Sequence, residues 1–125
     1  MSKEYISSDS LVSSNLFSAA VKVGNFVFTS GQIALDNTTK KLNNISFEVE
    51  VIQCFKNIKL TLEASGLNLE DVIKVTVFLT DINLFNEFNE IYKKYFSKSM
   101  PARTLVEVLK LALGARIEIE VIAYK

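Results

Sequence analysis

The chain contains no histidine. That removes the usual zinc ligand sets, every histidine-based nucleophile–base pair and the commonest general base. It contains one cysteine, Cys54. No internal disulfide can form, and such usage fits a reducing compartment. Neither sign of charge is in excess: Lys+Arg and Asp+Glu each number 14, for a formal net charge of zero. That balance gives no electrostatic case for nucleic acid or an anionic membrane as a partner. No apolar run reaches the roughly 18 residues of a membrane span. Met1–Ser14 is polar and serine-rich, without the apolar core of a signal peptide. A soluble, cytoplasmic protein is expected. There is no G-x-S-x-G elbow, phosphate loop or dinucleotide fingerprint. A carboxylate-only magnesium or calcium site is the one metal class left, yet no D-x-D-x-D-G loop occurs. Neither metal nor cofactor is expected.

What is present suffices for one domain over residues 1–125, with apolar residues at 49%. Residues 1–15 read as a loop or arm. Phe17–Val23 and Phe26–Ser30 read as strands joined at Gly24-Asn25, a pair suited to a tight hairpin turn. Gly31 ends the second strand. Asp36–Asn44 reads as a surface loop. Ser46 is a good helix N-cap, with Glu48 and Glu50 favouring the helix N-terminus. The helix runs to Ser65 with Val51, Phe55, Ile58 and Leu62 on one face, Cys54 buried beside them and Gly66 as terminator.

Asp71–Leu79 alternates as a strand, with Ile73, Val75, Val77 and Leu79 one way and Lys74, Thr76 and Phe78 the other. Asp81 or Asn83 caps a second helix, Leu84 to Phe96, whose stripe Phe85, Phe88, Tyr92 and Tyr95 reads as core. The only proline, Pro101, stops that segment. Arg103–Val108 and Ile117–Ala123 then alternate as strands. The order β-β-α-β-α-β-β predicts an α+β fold: a two-layer mixed sheet with both helices on one face. The other face is expected to carry Phe78, Leu105, Leu109, Arg103 and Glu118, and to form a subunit interface with a polar site built into it. Neighbouring strands are expected to bring Arg103 and Glu118 together.

No nucleophile–base pair is visible, so carboxylate chemistry and arginine recognition remain. The guanidinium of Arg103 is a fixed fork of donors that suits a planar carboxylate. Glu118 suits the holding and deprotonation of a water. Taken singly, each reads more simply: Arg103 in a structural ion pair, Glu118 and Glu120 on a solvated strand face.

Taken together, the motifs say more. Val21-Lys22-Val23-Gly24-Asn25 and Phe28-Thr29-Ser30-Gly31-Gln32-Ile33 resemble the RidA/YjgF/YER057c/UK114 family. So do Asp71 to Leu79, Phe88-Asn89-Glu90-Ile91-Tyr92, Pro101-Ala102-Arg103-Thr104 and Ile117-Glu118-Ile119-Glu120-Val121-Ile122-Ala123. The resemblance covers nearly all of the chain from Phe17. It implies a chorismate-mutase-like homotrimer with sites in the clefts between subunits. It implies hydrolysis of reactive 2-imino acids to 2-keto acids and ammonia, without a cofactor. Arg103 corresponds to a carboxylate-binding arginine and Glu118 to a water-positioning glutamate, with the backbone carbonyl of Leu105 as the other water contact. Ser30, Gly31 and Asn89 match further cleft positions. The family commonly has G-P-Y where this chain has Asn15-Leu16-Phe17, so Phe17 stands in the cleft without a hydroxyl. Leu105 replaces a frequent cysteine, and Ala112-Leu113 replaces a Pro-Lys pair. Two other functions are carried alongside: an endoribonuclease or translation inhibitor, a label also given to this family, and a non-catalytic module that binds metabolite carboxylates.

Overall fold

The Gly24-Asn25 pair folds the chain back on itself as expected. Gly24 takes φ 58°, which L side chains rarely adopt, and Val23 then faces Phe26 across a two-residue turn. The computed structural model describes residues 2–125. In chain order its elements are β1 (Lys3–Ile6), β2 (Ala20–Val23), β3 (Phe26–Thr29), α1 (Phe47–Ala64), β4 (Val72–Leu79), α2 (Phe85–Tyr95), β5 (Ala102–Glu107) and β6 (Ile117–Tyr124). The strands form one sheet in the order β1-β2-β3-β6-β4-β5. Only β4 and β5 run parallel, because α2 carries the chain back between them.

Both helices lie on one face, so the two-layer α+β expectation holds. Val75, Val77 and Leu79 of β4 and Ile117, Ile119, Val121 and Ala123 of β6 are buried beneath Val51, Phe55, Ile58 and Leu62 of α1. The ends of α1 explain its length. Ser46 Oγ accepts from Val49 N at 3.1 Å. At the other end Gly66 turns out at φ 84°, Gly66 N donates to Glu63 O and Leu67 N donates to Leu62 O, a Schellman closure. Cys54, on the inner face of α1, has no exposed surface, its Sγ 3.5 Å from Gln32 O. Burial pushes its thiol pKa well above the ordinary value.

Four expectations are corrected. Residues 1–15 are not wholly a loop or arm: Lys3–Ile6 pairs with Val23–Ala20 as an edge strand, while Met1 lies outside the described residues. The strand is short and polar, with only Ile6 buried, so it carries no apolar alternation to read. Secondly, the next strand starts at Ala20, and Phe17 instead bridges to Ser14. Thirdly, a register shift between Val72 and Lys74 turns Ile73 outward, and Val72 takes the buried place.

The fourth correction matters most. β5 pairs with β4, Val75 opposite Arg103 and Val77 opposite Leu105, so Arg103 and Leu105 take the face that the helices cover. Leu105 packs on the core. Phe78 and Glu118 stay on the open face, paired with each other, and Leu109 is exposed. Among the described residues no helix is long and apolar enough to cross a membrane.

Candidate active site

Phe17, Ser30, Gly31 and Glu118 line one cleft of about 460 Å³. Val12, Ile33, Leu35, Ala112 and Leu113 complete its wall, so its lining is largely apolar around one carboxylate. The segment after β3 builds the floor. Ser30 N donates to Ala19 O and Ser30 Oγ donates to Ser18 O at 2.6 Å. Gln32 and Ile119 exchange backbone hydrogen bonds at 2.7 and 3.0 Å. Gly31 is thereby held beside Glu118. A Cβ on residue 31 would stand 2.5 Å from Glu118 Oε2, so the carboxylate occupies the space that any other residue would fill. Burial, and then the like charge of Glu120, raise the Glu118 pKa above its ordinary 4.5. Its carboxyl therefore keeps a proton to higher pH than a solvated glutamate does.

The start of β6 is anchored by a pair that the sequence analysis did not identify. Glu50 is fully buried; its Oε1 accepts from Arg116 Nε and its Oε2 from Arg116 N, each at 2.7 Å. Arg116 Nη2 donates to Asn44 O at 3.1 Å, and the guanidinium lies 5.8 Å from the Phe47 ring centroid. The residue two before Glu118 is thus tied to α1. The signal was there: Glu50 falls on the row of Phe47, Cys54 and Ile58, where a carboxylate requires a partner.

Arg103 lies elsewhere. Its Nη1 donates to Asn89 Oδ1 at 2.8 Å. Its guanidinium sits over the rings of Tyr92, Phe85 and Phe88, at 4.8, 5.7 and 5.9 Å. The aromatic stripe of α2 is therefore only partly core: Phe88 and Tyr92 are buried, but Phe85 is half-exposed and helps to cradle Arg103. Among the described residues Arg103 has no ion-pair partner, which sets aside the simple ion-pair reading. Within the chain, Arg103, Asn89 and Leu105 form one group and Phe17, Ser30, Gly31 and Glu118 another. β4 stands between β5 and β6, and the arginine and the glutamate occupy opposite faces of the sheet. The expectation that neighbouring strands join them is overturned. Among the described residues no cluster of three or more Cys, Asp or Glu is placed to hold a metal ion.

Fold and site together define a small α+β protein that presents a carboxylate of raised pKa in an apolar cleft and, on a separate edge, an arginine held on aromatic rings with no ion-pair partner among the described residues. A family model described as endoribonuclease L-PSP matches residues 7–125. The chain belongs to this family, in agreement with the RidA resemblance. A RutC family protein of Pyrococcus horikoshii is 49% identical over 109 residues, covering 87% of this chain and 86% of the relative. A human protein named 2-iminobutanoate/2-iminopropanoate deaminase is 43% identical over 107 residues, covering 86% of this chain and 78% of the relative. The crystal structure of RidA from an Antarctic Psychrobacter has a TM-score of 0.92 at 40% identity, covering 98% of this chain and 99% of the other.

Proposed function

We propose that the protein hydrolyses 2-imino acids to 2-keto acids and ammonia, and that it does so as a homotrimer in which Arg103 of one subunit faces the Glu118 cleft of the next. The observation that carries this reading is the guanidinium of Arg103, which has no ion-pair partner among the described residues and lies on the opposite sheet face from Glu118. A second copy of the chain supplies the missing half. The family relationship supports it, since the human relative is named for this reaction.

The chemistry needs little machinery. The substrate carboxylate docks on the Arg103 fork. Glu118 holds a water, with the Leu105 backbone carbonyl on the edge strand as the second contact. The water oxygen adds to the carbon of the protonated imine while its proton passes to Glu118. The resulting carbinolamine receives that proton on nitrogen; the C–N bond then breaks as the hydroxyl proton passes to Glu118 and the C=O bond forms, and the departing ammonia takes that proton from Glu118 to leave as ammonium. Net, an iminium carboxylate and water become a 2-keto acid and ammonium. A protonated imine is already electrophilic, so positioning supplies much of the acceleration.

The test is to generate 2-iminopropanoate in situ from alanine with an amino acid oxidase and follow its decay with and without the protein. Faster decay is expected. No acceleration, with pyruvate still bound, would leave a carboxylate-binding module; cleavage of RNA by nuclease-free protein would point to the endoribonuclease function. Sedimentation at micromolar concentration tests the assembly, and a persistent monomer would contradict the shared site.

A further inference from the structure

One turn beside the cleft breaks a local rule. Ala112–Gly114 forms a single short turn, closed by Ala115 N donating to Ala112 O at 3.1 Å. Leu113 has φ 58° and ψ 22°, and Gly114 has φ 75°. Positive φ at both central residues is the mark of a type I′ turn, whose first central position favours asparagine, aspartate or glycine. Leucine there is strained. Burial within its own chain does not explain it either, for Leu113 is 72% exposed there. The other non-glycine residue at positive φ, Lys40, is different: its turn is closed by Asp36, and its amine donates to Asp9 O. Leu113 serves neither its own turn nor the core. It does line the cleft that holds Phe17, Ile33 and Glu118.

We infer that Leu113 is a specificity residue. With Phe17 and Ile33 it forms an apolar wall for the substrate side chain, and the protein prefers 2-imino acids with bulky apolar side chains, such as that derived from leucine, over 2-iminopropanoate. The inference rests on the hydrolase reading above and deepens it. Strain retained at a site edge, by a side chain that its own chain leaves exposed, is the pattern that functional sites show.

The variant Leu113→Asn isolates the effect. It makes the turn Asn-Gly, the preferred pair for this geometry, so folding is retained or improved while the apolar contact is lost. Wild type and L113N are compared on the imines of leucine and alanine. The same two proteins are titrated calorimetrically with 4-methyl-2-oxopentanoate and pyruvate. The wild type is expected to favour the larger ligand in both assays. L113N is expected to lose that preference by about tenfold, read as the ratio between the two imines and between the two keto acids. An unchanged ratio, or equal losses on both ligands, would overturn the inference. So would dissociation of L113N into monomers, which would make Leu113 a subunit contact. If neither imine is hydrolysed, the hydrolase reading fails by itself, and the 2-keto acid binding ratio alone decides the role of Leu113.

Discussion

Replacing Gly31 by alanine should separate activity from stability. The added Cβ would lie 2.5 Å from Glu118 Oε2, 2.7 Å from Cδ and 3.1 Å from Cγ, where ordinary contact begins near 3.4 Å. The carboxylate must therefore retreat by about 1 Å. A misplacement of that size in a positioned catalytic group costs roughly 10²-fold in rate. The backbone has no objection, because Gly31 is not among the glycines at positive φ. An alanine at a compatible site gains about 0.4–1 kcal/mol through the unfolded chain. Pushing the end of a flexible side chain off its rotamer loses about 0.5–1.5 kcal/mol. The two nearly cancel, so Tm should stay within about 4 °C of wild type. Imine hydrolysis and thermal unfolding, measured on the same G31A preparation, give both quantities. A folded G31A with unchanged kcat/KM would refute the claim that the place of the Glu118 carboxylate matters. A large fall in Tm would show that the clash is relieved by the backbone and not by Glu118.

Arg103→Lys keeps the charge but loses the fork, and hydrolysis should fall by about 10²-fold with only a small change in Tm; near wild-type turnover would remove the carboxylate-docking role. Arg116→Ala takes the cation from the buried Glu50 carboxylate, leaving it the backbone N–H of residue 116, and should cost about 3 kcal/mol in urea unfolding; a loss below about 1 kcal/mol would mean that Glu50 finds another partner. Glu120→Gln removes the charge that helps to raise the Glu118 pKa, so the acid limb of kcat/KM should move to lower pH; an unmoved limb would assign it to another group. Because that folded-state pKa is raised, ionising Glu118 costs the fold. The cost is absent below the unfolded pKa and complete above the folded one. Glu118→Gln should therefore gain Tm over wild type at neutral pH, and the gain should vanish in acid.

α1 was legible because its signals agree. The stripe from Val51 to Leu62, the cap at Ser46 and the stop at Gly66 all specify one helix, and each is found. The cleft was legible in part: Phe17, Ser30, Gly31 and Glu118 do converge. The place of Arg103 was not. Alternation along Arg103–Val108 tells which residues share a face, but not which face, and that depends on the strand beside it. Pairing of β5 with β4 puts Arg103 opposite Val75 and so on the helix side. The same limit hid Phe85 and Tyr92, whose helical spacing is the same for a core contact as for a cradle around a cation. Glu50 does stand in the first turn of α1, but its pairing with Arg116 stayed hidden because that partner is distant in sequence.

The buried thiol gives the protein a built-in clock. Cys54 is the only cysteine, it has no exposed surface, and its pKa is pushed away from the reactive thiolate form. An alkylating reagent in solution reaches it only when α1 lifts from the sheet. When reclosing outpaces alkylation, the labelling rate is the rate for a free thiol multiplied by the fraction of molecules open at that instant. The stoichiometry is one label per chain, and the label falls on the inner face of the helix that anchors Arg116 and, through it, the strand of Glu118. A mass measurement against time thus reads the opening free energy of the scaffold under the site, in the unmodified protein and without denaturant.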